Sequence, residues 1–193
     1  MVKMFFRTIA AFMIASRAGM LVAAAGLVLS SIGCNSKAKP TPENFTKTVN
    51  AYFSERPDCL FSGIRFPYAT ADAQITKQMN SLVKAQLLES SFEYAVHTTR
   101  YTVTSVGTRY APRFCYGHRI VSFIDNFQPP AKGPSGFPET KVSFHYTLED
   151  VPVWAKSQGI LDAFPDIAEK INHGGDGSLS LAQTMAGWQV PER

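Results

Sequence analysis

From residue 41 onward, hydrophobic positions recur first with a helical and then with a strand period. Phe45, Val49, Tyr52 and Phe53 fall on one helical face, behind Thr41-Pro42-Glu43. That triplet supplies a hydroxyl N-cap, a proline at the first helical position and an acid near the positive end of the dipole. The pattern predicts a helix with one aromatic face, closed at Pro57. Asp58 to Tyr68 mixes Cys59, Leu60, Phe61, Ile64 and Phe66 with Gly63 and Pro67, which predicts a short strand or an extended segment. Ile75, Met79, Leu82, Val83, Leu87 and Leu88 then form the apolar stripe of a second helix, from about Thr70 to Leu88, with Lys77 and Lys84 on its other side.

Past Glu89 the period shortens. Phe92, Tyr94 and Val96 alternate with polar residues, and Tyr101 and Val103 repeat the pattern after His97-Thr98-Thr99, which predicts a hairpin. Arg113 to Phe127 predicts a long strand apolar on both faces, and Val142 to Leu148 a strand with one buried and one wet face. The proline- and glycine-rich QPPAKGPSGFPE between them is a loop, long for a plain hairpin, and hence the candidate contact surface. Asp150 is placed to cap a short helix through Val151 to Ser157. Asp162, or the Phe164-Pro165 step, starts another helix reaching Asn172, which the glycines of HGGDGS end. Ser178 to Val190 predicts a closing strand or strand pair. The fold class expected is α+β: a single small domain with a mainly antiparallel sheet packed against helices, following an N-terminal signal segment.

That segment has a different pattern. Ala18 to Ile32 carries no charge, with Lys3, Arg7 and Arg17 before it and no acid ahead of Cys34. A basic start, a short apolar run and small residues before a cut are the polarity of a secretory signal, and the run is shorter than the ~20 residues a membrane span needs. Its end, Ser30-Ser31-Ile32-Gly33-Cys34, resembles the lipobox of bacterial lipoproteins, with Ser31 where that family most often has Leu. The resemblance implies cleavage before Cys34, a lipid on its thiol, and partition into a signal peptide (1–33), a tether (34–41) with nothing to pack, and the α+β domain (42–193). It also implies a place in the cell envelope, with Asn35 favouring the outer membrane, facing the periplasm, in a Gram-negative cell. Met4 to Ser16 is itself largely apolar, so Met13 is a candidate start that gives a more compact signal.

Removal of the signal changes the charge. The 19 Lys and Arg exceed the 15 Asp and Glu by four, but three of the basic residues leave with the signal, so 16 face 15. The compositional argument for a nucleic-acid partner goes with them. Of the three cysteines, assigning Cys34 to lipid leaves Cys59 and Cys115, a favoured disulfide in an oxidising compartment, with two unrelated buried thiols as the alternative.

A second resemblance lies between residues 72 and 111. LVKAQLL followed by YTVTSVGTRY is similar to the recognition helix, turn and wing strand of winged-helix DNA-binding domains, with Gln86 where the turn often has Gly. Only Lys84, Arg100 and Arg109 supply charge there, too few for a phosphate-binding surface, so the reading is a reused αββ shape without nucleic acid.

Catalytic signals are sparse. The sequence has no phosphate loop or dinucleotide fingerprint, and GPSG at 133–136 lacks the strand-to-helix turn of a nucleophile elbow. His97, His118, His145 and His173 lie far apart; only His118 and His145 could meet, across the hairpin, for metal or acid/base work. Asp162 and Asp166 lie one helical turn apart, and Tyr110, Tyr116 and Trp154 are candidates for a groove or for the core. The expectation is a non-catalytic envelope lipoprotein, without cofactor or metal, that meets the membrane through Cys34 and binds an unknown envelope protein or ligand. Alternatives are a small-ligand or peptide binder, a hydrolase using His118 or His145, and a winged-helix-derived module.

Overall fold

The computed structural model describes residues 36–191; the expectations for the start codon, the signal, Cys34 and Asn35 lie outside them. Helix α1 (Pro42–Ser54) begins where its cap chemistry places it, with the Thr41 hydroxyl accepting from the Asn44 N–H. Phe45, Val49 and Phe53, one turn apart, are its buried stripe.

That stripe packs on the principal sheet, which is antiparallel and ordered β1 (Asp58–Cys59), β5 (Cys115–Phe127), β7 (Pro138–Glu149), β8 (Gly175–Thr184) and β9 (Gly187–Gln189). A short β6 (Ala131–Lys132) pairs with the start of β7. On β7, Val142, Phe144 and Tyr146 are buried in strict alternation, as predicted; the buried face starts earlier, at Thr140, and Leu148 is half-buried. Phe144 and Tyr146 face Gly177 and Gly175 on β8. A Cβ at Gly177 would stand 2.6 Å from the Phe144 ring, so the glycine is what leaves room for that ring. A register shift in β5 between Val121 and Phe123 accompanies a tie to α1, whose Asn50 side-chain oxygen accepts from the Val121 N–H at 2.9 Å.

A second core gathers Met79 and Leu82 of α2 (Ala73–Lys84) with Leu87, Leu88, Tyr101, Phe114, Tyr116, Trp154 and Ile160. Over it lie a three-stranded sheet ordered β2 (Tyr68–Thr70), β4 (Thr98–Val103), β3 (Leu88–Glu93), and two helices, α3 (Gln158–Ala163) and α4 (Pro165–His173). The fold is α+β, as the alternation of periods predicts. Cys59 and Cys115 are register partners on β1 and β5 and form a disulfide, S–S 2.07 Å.

Several elements depart from the sequence reading. The second helix stops at Lys84, because the chain turns through Gln86 at φ 61° and Leu88 opens β3. Gln86 donates its N–H to Val83 and Leu87 to Leu82, the Schellman arrangement that glycine usually serves. Tyr94 and Val96 lie in the β3–β4 turn rather than in a strand. Asp150 has φ 56° and caps nothing; the short helix after it is a 3-10 turn, Val153–Lys156. Two helices replace the one expected before Asn172, and the Phe164-Pro165 step starts the second. HGGDGS does not simply end a helix: after Gly174 at its C-cap, Gly175 and Gly177 open β8 as register partners of Tyr146 and Phe144, whose rings need the space above them.

Candidate functional site

The proposed histidine meeting does not occur. His118 pairs in register with Glu149, and His145 with Phe123, four residues away along β7, or about 14 Å of strand. His145 Nδ1 lies 2.8 Å from Asp176 Oδ1, under the stacked ring of Phe123, but the Asp176 side chain is 87% exposed. His118 lies 3.9 Å from an equally exposed Asp150. Each histidine is therefore a surface residue beside a solvated carboxylate. Among the described residues, no group of three or more His, Cys, Asp and Glu could hold a metal ion, and no helix is long and apolar enough to cross a membrane. Asp166 is an acid of the first turn of α4, and Asp162 accepts from Gln158. Tyr110, Tyr116 and Trp154 belong to the second core, Tyr110 and Trp154 meeting edge to face at 5.7 Å.

The αββ shape of residues 72–111 is present as α2, β3 and β4, with β2 on the far side of β4. Of its cations, Arg100 is bound to Glu93, while Lys77 and Lys84 line a groove of about 660 Å³ that Asp162 of α3 also lines. The QPPAKGPSGFPE loop is organised rather than open. Gly133 and Phe137 are joined by a backbone hydrogen bond, and Ser135 donates to Glu139 from both its N–H and its hydroxyl.

Two surfaces stand out. The first is the β3–β4 hairpin. Phe92, Tyr94 and Val96 are 49%, 80% and 60% exposed, and the two rings meet edge to face at 4.9 Å. β3 is the edge of its sheet, and Glu89, Ser90, Ser91 and Phe92 are all exposed, so both its faces and its outer edge meet solvent. The alternation of Phe92, Tyr94 and Val96 in the sequence was the visible signal; that it is turned outward is not encoded in the period.

The second surface is a groove of about 830 Å³ between α1 and β9, lined by Lys37, Lys47, Arg56, Tyr52 and Trp188 among others, with no acid in its lining. Arg56 stacks over the Tyr52 ring at 4.1 Å and donates to the Tyr52 carbonyl. One wall is the segment expected to be a free tether. Asn44 donates to the carbonyls of Ser36 at 2.7 Å and Lys39 at 2.9 Å, Gln183 to that of Ala38, and the Trp188 indole to Lys39. Residues 36–41 are thus docked on the domain, because polar side chains from α1, β8 and β9 satisfy their backbone.

Beneath the sheet end of α1, Arg119 makes a two-pronged ion pair with the nearly buried Asp58, at 2.7 and 2.5 Å, between the rings of Phe53 and Tyr146. Hydrogen bonding to Asp58 raises the Arg119 pKa, and burial, then the Asp58 charge, push the neighbouring Tyr116 up to about 12. Compared with known proteins, the chain matches no family model, no curated protein and no solved structure.

Proposed function

We propose that the chain is a bacterial envelope lipoprotein, held at a membrane by a lipid on Cys34, whose domain binds a neighbouring envelope protein without catalysis. The observation that carries the binding role is the β3–β4 hairpin, an exposed aromatic tip beside an open strand edge. An edge offers backbone donors and acceptors to an added strand, and the rings offer apolar anchors. The anchor is supported by the signal-like start and by the Cys59–Cys115 bond, which leaves Cys34 as the remaining thiol. Anchoring concentrates the domain at a surface, so modest affinity at the hairpin suffices. In a Gram-negative cell, Asn35 favours the outer membrane.

A photo-crosslinking residue at Tyr94 in the full chain tests the reading in cells. The expected result is a discrete crosslinked protein band, weakened when the variant also carries Cys34→Ala. No band, or unchanged membrane association of the Cys34→Ala protein, would count against partner binding or against the anchor respectively.

A further inference from the structure

We propose that the basic groove between α1 and β9 faces the membrane and binds the phosphates of anionic lipid headgroups. The inference rests on the lipid-anchor reading. Between Cys34 and Ser36 the chain has two Cα steps, at most about 7 Å. From Ser36 the backbone is pinned by Asn44, Gln183 and Trp188, so the domain has no long linker on which to rotate away. A lipid on Cys34 then holds Lys37 and Lys39 within about a Debye length of the headgroups, where attraction to anionic lipid is effective.

Charge and shape select the occupant. From Cys34 to Arg56 the chain carries Lys37, Lys39, Lys47 and Arg56 against Glu43 and Glu55, while the rest of the mature chain has 12 Lys and Arg against 13 Asp and Glu. Glu55 lies outside the groove lining, 81% exposed and 3.9 Å from Arg56. Lys47 lies seven residues, about 10 Å of helix axis, before the end of α1 at Ser54, and Arg56 follows that end, so the groove's cations are spread out along it. A single small anion cannot bridge that span; a plane of headgroups can. Trp188 is 5% exposed, packed on Phe45 and bonded to the Lys39 carbonyl, so it forms the floor of the groove and leaves the cations at its mouth.

The test uses the processed full-length protein in nanodiscs of phosphatidylcholine, with or without phosphatidylglycerol, read by amide hydrogen exchange. Phosphatidylglycerol is expected to slow exchange in residues 44–56 and 186–190 and not in the β3–β4 hairpin. High salt should abolish the effect, and Lys37→Gln and Lys47→Gln, both at exposed positions, should weaken it about fivefold each. The mass of the N-terminal peptide is measured in the same samples. A lipidated Cys34 with no phosphatidylglycerol-dependent protection would overturn the groove proposal alone, whereas a peptide without lipid would overturn the anchor and with it this inference. Equal protection by inorganic phosphate in phosphatidylcholine discs would overturn the headgroup assignment in favour of a soluble-anion site.

Discussion

Gln86 shows how much one backbone angle can hold. Its left-handed conformation closes α2 through the two Schellman hydrogen bonds, and a side chain there costs about 1 kcal/mol relative to glycine. Gln86→Gly is expected to raise stability by about 0.5–1 kcal/mol in urea unfolding, the gain being reduced by the greater freedom of glycine in the unfolded chain. Gly177 gives the opposite case: Gly177→Val places carbon where the Phe144 ring lies and is expected to cost about 1–3 kcal/mol in the same assay. Tyr116 sets a pH limit. Its folded pKa of about 12 exceeds the ordinary value near 10, so the folded state holds the phenol proton more tightly. That contribution is complete below pH 10 and is lost as pH rises to 12, by about 2–3 kcal/mol. Denaturation curves between pH 9 and 12 should fall less steeply for Tyr116→Phe than for the native chain.

Among the elements, β1 is only two residues long, Asp58–Cys59, yet it is joined to β5 by both the disulfide and the Asp58–Arg119 ion pair. The bond closes a loop with a sequence separation of 56, which constrains the unfolded chain by about 4 kcal/mol. A Cys59→Ser/Cys115→Ser double variant is expected to lose roughly that stability, measured by chemical denaturation under non-reducing conditions. The hairpin behaves differently. Because Phe92 and Tyr94 are solvent-exposed, Phe92→Ser with Tyr94→Ser should change stability by less than about 1 kcal/mol while reducing recovery of the crosslinked partner, with the probe moved to Ser91.

At the scale of the molecule, two hydrophobic cores share the long strands β5 and β7. Leu148 of β7 packs against both, and Arg119 of β5 lies at the edge of the core under α1. The hairpin belongs to the sheet over the second core and the basic groove runs beside the first, so the proposed partner and membrane surfaces fall on different parts of the fold. The pinned segment 36–41 couples the groove to the proposed anchor, which makes orientation at the membrane a property of the folded domain rather than of a linker.

The sequence by itself determined the α+β class, the start of α1, the long β5 and β7 and the Cys59–Cys115 pairing as the favoured reading. These rest on local chemistry: a cap, a proline, a period of 3.6 or 2, or a count of cysteines. It also carried the case for a lipid on Cys34, to which the structure adds only the Cys59–Cys115 bond that leaves Cys34 as the remaining thiol. Only the tertiary structure decided which aromatic alternation was buried, since Val142 to Tyr146 and Phe92 to Val96 look alike as patterns, and a covering helix lies over the first alone. Tertiary structure also docked residues 36–41, because Asn44, Gln183 and Trp188 converge on that backbone from positions up to 149 residues away in sequence. No local pattern records such a meeting; it exists once α1 and β9 lie side by side.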